Sequence, residues 1–423
     1  MVLTMCGDEI LQDASVLVED GKISYVGTKR PILDAVDRVI SGKGKLLMPG
    51  LVNCHTHLPM TLMRGYAEGL PLERWLNEKI FPAEDKMDGD DFYWPSLLSI
   101  AEMVMTGTTT INDMYFGTHS IAKAVETSKI RAFLYYCGSC FEEVDFETYR
   151  TTVNNRRLYQ DFNGAGGGRI RVGVSPHSVY TCTGSYLAGS ANEAKRLGCI
   201  LHTHLSETKT EMQNCLEQHG LTPTAYMDSL GVFDVPTVAA HGVFLTDEDI
   251  EILRAKNVTI VHNPESNLKL GSGVCNTPKL LARGVNVALG TDGASSNNNL
   301  NMFEEMHTAA LINCGVQQQA GVLSPMDVLK MATVNGAKAL GIDELAGTIA
   351  PGKEADLILL DMDRPYLWPM HNLPSALCHS VQGTDVCLTM VGGDIVYENG
   401  EFQTIDLERV RFEVDQICRR ILN

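Results

Sequence analysis

Two histidines separated by one residue, His55 and His57, end the apolar stretch PGLVNC of residues 49–54. Successive side chains of a β-strand point to opposite faces, so residues two apart share one face. The two imidazoles can therefore reach the same point in space. Two imidazoles that converge at a strand end indicate a transition-metal site, most often zinc. Such pairs also occur by chance, so the interpretation depends on finding further ligands.

Polar side chains also end other apolar segments of the chain. They are His177, His202, His204, Glu207, His241 and Asp292. Each has a structural interpretation by itself: a lone histidine is most often hydrogen-bonded within a core, Asp292 could cap a helix, and Glu207 could satisfy a helix dipole. The same coincidence at several strand ends is better explained by one metal site with acid–base groups beside it.

The segments that carry these residues alternate with helix-like segments. Eight apolar strand candidates are Leu46–Asn53, Thr108–Asp113, Ala132–Cys137, Ile170–Val174, Cys199–His204, Thr237–His241, Val258–His262 and Val285–Asp292. This alternation is typical of an α/β fold, specifically a (β/α)8 TIM-like barrel. The carboxyl ends of all barrel strands face one rim, so residues distant in sequence become neighbours there.

The two ends of the chain have a different pattern, which predicts short strands joined by tight turns. Residues 1–49 and 350–423 are predicted to pair into a small composite β-sandwich with a C-terminal helix, and residues 50–349 form the catalytic barrel. Two long insertions, Leu58–Phe92 and Ser139–Gly168, follow the first and third predicted strands. Long connections of this kind usually build the substrate pocket of a barrel.

Composition excludes several classes of partner. The 423-residue chain has a formal charge of −18 and no basic cluster, which argues against nucleic acid or an anionic membrane as partner. No apolar run is long enough to span a bilayer. No secretory signal is visible, and the 12 cysteines are scattered apart from Cys137 and Cys140. A cytoplasmic protein with reduced thiols is expected, and the Cys-x-x-Cys pair is interpreted as incidental.

Several longer motifs identify a family. They are PGLVNCHTH (49–57), PMTLMRGYAEGLPLERWL (59–76), FPAED (81–85), SPHSVYT (175–181), HLSET (204–208), HNPESNLKLGSG (262–273), LGTDGASSNN (289–298) and PGKEADLILLD (351–361). With them the chain resembles the amidohydrolase superfamily and, within it, the methylthioadenosine/S-adenosylhomocysteine deaminases. The resemblance covers nearly the whole chain and implies hydrolytic deamination of adenine nucleosides to their inosine analogues and ammonia.

The resemblance implies that His55, His57, His204 and Asp292 bind one divalent metal ion. Three neutral imidazoles and one carboxylate leave room for a bound water, as in other catalytic zinc sites. Zinc is the default, although iron or manganese could use the same ligands. Strand four offers His177 and no lysine, so a carbamate-bridged pair of metals is not supported.

His202 competes with His204 for the role of metal ligand, since both would face inward. His204 is preferred because the glutamate three residues later completes the HLSET motif. His202 is then expected one layer deeper, as a core residue or as a group that supports a ligand.

The resemblance also implies catalytic roles. The metal would lower the pKa of its water toward ~7 and so supply hydroxide. Asp292 could accept a hydrogen bond or proton from that water, and His241 could orient it or stabilise developing charge. Glu207 is the expected proton shuttle, which protonates the purine ring nitrogen and later helps ammonia leave.

The family pattern implies further substrate contacts. Trp75 is expected to pack against the nucleoside, Glu84 to accept hydrogen bonds from the ribose hydroxyls, and His177 to make an additional contact. Ordinary helix packing is the alternative for Trp75. The family places an arginine before the fourth strand; Arg150 is nearest, with Arg156 and Arg157 as rivals.

The third strand departs from the family pattern. It ends in Tyr135-Tyr136, where related enzymes can carry an arginine suited to the amino-acid carboxylate of S-adenosylhomocysteine. Without that cation the carboxylate has less to pair with. The sequence therefore favours 5′-methylthioadenosine, 5′-deoxyadenosine or adenosine as the small-molecule partner.

Two alternatives remain open from the sequence. The same site could serve another hydrolase, acting on guanine, cytosine or a triazine, or the barrel could be catalytically silent and kept for binding. Homo-oligomers are common for this architecture, but no interface can be identified in the sequence.

Overall fold

The computed structural model describes residues 1–7, 9–29 and 36–422. Its strands, in chain order, are β1 Val2–Leu3, β2 Ile10–Leu11, β3 Ser15–Glu19, β4 Lys22–Gly27, β5 Lys45–Pro49, β6 Leu51–Thr56, β7 Thr108–Tyr115, β8 Arg131–Tyr136, β9 Ile170–Val172, β10 Leu201–Leu205, β11 Thr237–His241, β12 Thr259–His262, β13 Val287–Leu289, β14 Leu357–Asp361, β15 Val386–Val391, β16 Asp394–Glu398 and β17 Glu401–Phe402.

Helices separate most of the strands in the middle of the chain. The α-helical segments are Leu72–Trp75, Phe81–Glu84, Tyr93–Met105, Thr118–Ser128, Arg150–Phe162, Ala165–Gly168, Gly184–Leu197, Lys209–His219, Pro223–Ser229, Asp247–Ala255, Pro264–Lys269, Thr277–Ala282, Ala294–Asn297, Met302–Gln317, Pro325–Met331, Val334–Ala339, Leu373–His379 and Leu407–Ile421. Among the described residues, none of these helices combines the length and apolar character needed to cross a bilayer.

Eight parallel strands form two four-stranded sheets, one of β6–β9 and one of β10–β13, each ordered as in the sequence. Single parallel bridges connect the sheets at both edges, Val174 to Leu201 and Thr56 to Asp292. The backbone N–H of Asp292 also donates to the carbonyl of His55 at 2.9 Å. The carboxyl end of β6 therefore lies beside the segment that follows β13.

The first predicted strand, Leu46–Asn53, is in fact two strands in different sheets. β5 pairs with β14 and β1, whereas β6 pairs with β7. Gly50 lies between them, where an added Cβ would be 2.1 Å from the side chain of Thr109. Only glycine permits this close approach. The sequence could not show the switch because both halves are apolar and buried.

Both ends of the chain contribute to one seven-stranded sheet. Its order is β17-β16-β15-β14-β5-β1-β2, and β3 and β4 form a separate hairpin. The predicted C-terminal helix is present as Leu407–Ile421, and its buried residues Val410, Val414, Ile417 and Ile421 recur at helical spacing. They pack in the same apolar cluster as Leu58 and Leu62, so this helix supports the start of the first insertion.

The two predicted insertions have different structures. The first contains the helical turn Leu58–Met63, a continuous helical stretch at 72–84 and the turn Gly89–Asp91. Within residues 72–84, the α-helical segments Leu72–Trp75 and Phe81–Glu84 flank a π-helical segment, Leu76–Ile80. The second contains the longer helix Arg150–Phe162. Residues of the first insertion reach over the carboxyl ends of the parallel strands.

Replacement of Gly50 by alanine tests the close approach at the strand switch. Gly50→Ala is expected to lower the free energy of unfolding by about 1–3 kcal/mol, the usual cost of an overpacked core. Gly315→Ala is the control, because Gly315 lies inside the helix Met302–Gln317 with nothing within 4 Å of an added Cβ. It should be neutral or stabilising by up to about 1 kcal/mol. Equal denaturation midpoints for both variants would contradict the argument.

Candidate active site

Four buried side chains meet where β6, β10 and β13 end. His55 and His57 come from β6, His204 from β10, and Asp292 from the turn after β13, and each is at most 8% exposed. One ring nitrogen from each of the three histidines lies within 4.8 Å of the others. Nε2 of His57 is 3.1 Å and Nε2 of His55 is 3.4 Å from Oδ1 of Asp292. Three nitrogens and a carboxylate oxygen at this spacing suit a divalent cation such as zinc.

Hydrogen bonds on the far side of the rings fix the tautomers of His57 and His204. Nδ1 of His57 is 2.5 Å from the carbonyl oxygen of Met114, and Nδ1 of His204 is 2.9 Å from that of His177. A carbonyl oxygen can only accept, so both Nδ1 atoms carry the proton. In the neutral imidazole, each Nε2 then has a lone pair that faces the site, as a metal ligand requires.

His55 is oriented through a second histidine. Nδ1 of His202 is 2.9 Å from the carbonyl oxygen of Val238, so that nitrogen donates and Nε2 of His202 accepts. The donor to it is Nδ1 of His55, at 2.9 Å. The buried Nε2 of His55 then has no hydrogen-bond partner within the described residues. A buried lone pair without a donor is costly, and a cation at this point would remove that cost.

Asp292 and His241 are held beside this cluster in a left-handed backbone conformation, with φ of 58° and 78°. Strained backbone of this kind is common at functional sites. The hydroxyl of Ser266 donates to Oδ2 of Asp292 at 2.6 Å, and the N–H of Gly293 donates to Oδ1 at 2.9 Å. Nδ1 of His241 donates to Oδ1 of Asn267 at 2.9 Å, so its Nε2 faces the site.

Glu207 follows β10 and its side chain is buried against His241. Its Oε2 lies 3.7 Å from Nε2 of His241, and its Oε1 accepts from the hydroxyl of Ser272 at 3.3 Å. The carboxylate of Glu211 accepts from the backbone N–H groups of Ser206 and Glu207 at 3.0 and 2.7 Å, which fixes this turn. Burial raises the pKa of the Glu207 carboxyl and favours its protonated form, as a proton donor needs.

A cavity of about 710 Å³, counted with its open mouth, lies above these groups. The residues that line it are His57, Met60, Leu72, Trp75, Leu76, Phe81, Glu84, Met114, Tyr115, Phe116, Cys137, Ser139, His177, Tyr180, His204, Glu207, His241, Leu270, Asp292 and Ser296.

Three of the expected substrate residues lie in the cavity wall. Trp75 is 3% exposed, and its buried Nε1 has no hydrogen-bond partner among the described residues. Glu84 accepts a hydrogen bond from the hydroxyl of Tyr115. Nδ1 of His177 lies 3.1 and 3.0 Å from the hydroxyls of Ser178 and Thr181, which leaves its other nitrogen for the cavity.

None of the three arginines predicted as possible substrate contacts lines the cavity. Arg150 is the first residue of its helix, is exposed and does not line the cavity. Arg156 is paired with Glu193 at 2.7 Å, and the side chain of Arg157 is 74% exposed. Within the described residues the cavity wall contains no lysine or arginine, so contact between an arginine and substrate stays a prediction.

Comparison with known proteins decides the family. The model of the amidohydrolase family matches residues 46–396. The chain belongs to the amidohydrolase family. It is 47% identical to a 5-methylthioadenosine/S-adenosylhomocysteine deaminase of Caldanaerobacter subterraneus subsp. tengcongensis, over 100% of this chain and 97% of that protein. It is 45% identical to a 5′-deoxyadenosine deaminase of Methanothermobacter thermautotrophicus, over 96% of this chain and 95% of that protein.

A solved structure agrees with this membership. The amidohydrolase fold of this chain is similar to an adenosine deaminase from Xanthomonas campestris with bound zinc, with a TM-score of 0.93 and 33% identity, covering 99% of this chain and 96% of the other. The resemblance noted in the sequence is therefore confirmed, and the likeness supports a TIM-like barrel.

Sequence reasoning did not identify several residues that hold the site together. Tyr115 was missed because the second strand was predicted to end at Asp113, whereas β7 continues to Tyr115. Ser266 and Ser272 lie inside the motif HNPESNLKLGSG (262–273). No spacing rule connects them to Asp292 or Glu207. The imidazole tautomers are fixed by backbone carbonyls. Every residue has a backbone carbonyl, so the sequence does not show which ones accept these hydrogen bonds.

Replacement of His202 tests the tautomer argument. His202→Phe removes the acceptor for Nδ1 of His55, so metal affinity is expected to fall about 10–100-fold, as is usual when such supporting partners are lost. The measurement is chelator competition with the metal-loaded protein. His262→Phe is the matched control, because His262 is also a buried strand histidine but makes no side-chain hydrogen bond within the described residues. An unchanged metal affinity of the His202→Phe variant would refute the argument that His202 orients the ring of His55.

Proposed function

We propose that this amidohydrolase deaminates adenine nucleosides to their inosine analogues and ammonia, using one bound divalent metal ion, zinc by preference. The observation that carries the proposal is the convergence of three imidazoles and a carboxylate beside a buried glutamate, at the base of a cavity that Trp75 and Glu84 also line. The two deaminases reported above, 47% and 45% identical over almost the full chain, support the adenine nucleoside as substrate.

His55, His57, His204 and Asp292 would hold the metal. The unpartnered Nε2 of His55 and the fixed tautomers of His57 and His204 fit a cation at this point. When bound, such an ion supplies a water molecule acidic enough to act as a nucleophile near neutral pH. Zinc in the adenosine deaminase from Xanthomonas campestris supports the choice of metal.

The protein's own groups would move the protons. Asp292 accepts the proton that the nucleophile loses, while Ser266 and Gly293 hold its carboxylate in place. Glu207 delivers a proton to the purine ring nitrogen next to the amino-bearing carbon, and its raised pKa keeps that proton available. The proton held by Asp292 would then pass to the amino group, which leaves as ammonia, while Glu207 regains a proton from the hydroxyl that becomes the product carbonyl. His241, fixed by Asn267, faces the developing charge with Nε2.

The substrate is held in the upper part of the cavity. Glu84 accepts from the ribose hydroxyls, Trp75 packs against the nucleoside, and His177 binds the base or sugar edge. Arg150 is proposed as a further substrate contact by family resemblance; in this structure it begins a helix outside the cavity wall. The wall is otherwise rich in apolar side chains, among them Leu72, Leu76, Phe81, Phe116 and Leu270.

A neutral 5′-substituent fits this wall best. Within the described residues no lysine or arginine lines the cavity, and a buried carboxylate without a paired cationic side chain is costly. Methylthio and deoxy groups have no charge to satisfy. 5′-Methylthioadenosine, 5′-deoxyadenosine and adenosine are therefore proposed over S-adenosylhomocysteine.

The architecture proposed for this chemistry is a closed (β/α)8 barrel of residues 50–349, with residues 1–49 and 350–423 as a composite β-sandwich. The single parallel bridges at both edges of the two four-stranded sheets support closure. The seven-stranded sheet built from both ends of the chain supports the composite unit.

A substrate panel tests the proposed reaction. Ammonia release by the metal-loaded protein is expected with 5′-methylthioadenosine, 5′-deoxyadenosine and adenosine, and kcat/KM for S-adenosylhomocysteine should be at least about 10-fold lower, since its buried carboxylate lacks a cation. Asp292→Asn should be inactive in the same assay. Turnover of guanine or cytosine alone would contradict the nucleoside assignment.

The role of Glu207 has its own test. Glu207→Gln should reduce kcat by about 10²–10⁴-fold, the usual contribution of a positioned proton donor. The donor form exists below the pKa of Glu207, so activity should fall as pH rises through that pKa. Ser272→Ala removes a hydrogen bond that lowers this pKa, so its pH profile should lose activity at a higher pH than the wild type. A profile shifted to lower pH would count against the assignment.

A further inference from the structure

Tyr115 is the last residue of β7 and lies in the cavity wall beside Glu84. Its hydroxyl donates to Oε1 of Glu84 at 2.5 Å. Tyr115 is 3% exposed and Glu84 is 6% exposed. A hydrogen bond between a phenol and a buried carboxylate is short and strong, so the orientation of Glu84 depends on Tyr115.

Tyr115 and Glu84 come from different parts of the fold. The ring of Tyr115 stacks on that of Phe116, with centroids 4.5 Å apart and planes 12° from parallel, and the edge of Phe92 lies against it. Its backbone carbonyl accepts from the N–H of Cys137 at 2.8 Å. Glu84 is the last residue of the helical stretch 72–84 in the first insertion. Tyr115 therefore ties a side chain of the insertion to a central strand.

The free donors and acceptors of this pair suit two neighbouring hydroxyls. Tyr115 occupies one side of Oε1, which leaves the second carboxylate oxygen of Glu84 and the remaining lone pair to accept hydrogen bonds. Trp75 lies in the same wall, and its buried Nε1–H has no hydrogen-bond partner within the described residues. Burial raises the pKa of Glu84 to about 7, and the hydrogen bond from Tyr115 opposes that rise. The ionised, accepting form of Glu84 is thus favoured by Tyr115.

We propose that Tyr115 is a positioning residue that fixes Glu84 toward the 2′- and 3′-hydroxyls, so that selection of ribonucleosides over deoxyribonucleosides depends on Tyr115. The proposal rests on the proposed function, in which Glu84 binds ribose. Tyr115 acts through Glu84 and not on the reacting atoms, so its loss should weaken binding of the sugar while leaving the chemical step intact.

The test compares adenosine with 3′-deoxyadenosine in the metal-loaded enzyme. Tyr115→Phe should raise KM for adenosine about 5–15-fold, the value of one lost hydrogen bond of about 1–1.5 kcal/mol, with kcat within about twofold of wild type. KM for 3′-deoxyadenosine should change much less, so the ratio of the two kcat/KM values falls. Tyr186→Phe is the matched control, since the buried hydroxyl of Tyr186 is bound to Thr151 at 2.7 Å and lies outside this cavity.

A double variant separates positioning from general damage. If Tyr115 acts through Glu84, adding Tyr115→Phe to Glu84→Ala, which leaves no acceptor for the phenol, should change the adenosine-to-3′-deoxyadenosine ratio no further. Tyr115→Met, which also lacks the hydroxyl, should show the same loss of discrimination if Tyr115→Phe does not fold.

The outcomes distinguish this proposal from the proposed function. A Tyr115→Phe enzyme that keeps the wild-type ratio, or loses kcat equally on both nucleosides, overturns the role of Tyr115 while the deaminase assignment stands. A wild-type enzyme that deaminates neither nucleoside overturns the proposed function and, with it, the role of Tyr115.

Discussion

The orientation of three imidazoles is the constraint on which this site depends. A histidine can present a lone pair to a cation only if its other nitrogen carries the proton, and that proton needs an acceptor. Here the acceptors are the carbonyl oxygens of Met114 and His177 for two rings, and His202 for the ring of His55. The parallel strands beside β6 and β10 thus determine which atoms face the metal position.

The strand ends and the first insertion contribute different residues to the site. Strand ends hold the proposed ligands and the proton donor, with His241 and Asp292 in left-handed backbone conformations that neighbouring hydrogen bonds maintain. The first insertion supplies Trp75 and Glu84, which line the cavity and are proposed to contact the nucleoside. The strand ends therefore hold the proposed reacting groups, and the first insertion supplies part of the cavity wall above them.

The sequence predicted the strand ends better than the supports behind them. His55, His57, His204 and Asp292 could be grouped because barrel topology brings strand ends together. The split at Gly50 could not be predicted, since a continuous apolar run hides a change of sheet. The imidazole tautomers could not be predicted either, because they depend on backbone carbonyls. The proposed role of Tyr115 could not be predicted because it depends on a contact with Glu84, which lies 31 positions earlier in the chain.

X-ray absorption at the zinc edge of the metal-loaded protein would test the central claim most directly. The account predicts one zinc ion with three imidazole nitrogens at about 2.0–2.1 Å and carboxylate or water oxygen at about 2.0–2.2 Å. A sulfur shell near ~2.3 Å would instead place the metal on cysteine. A second metal at about 3.5–4 Å would replace the single-ion site with a two-metal centre. Either result would contradict the account.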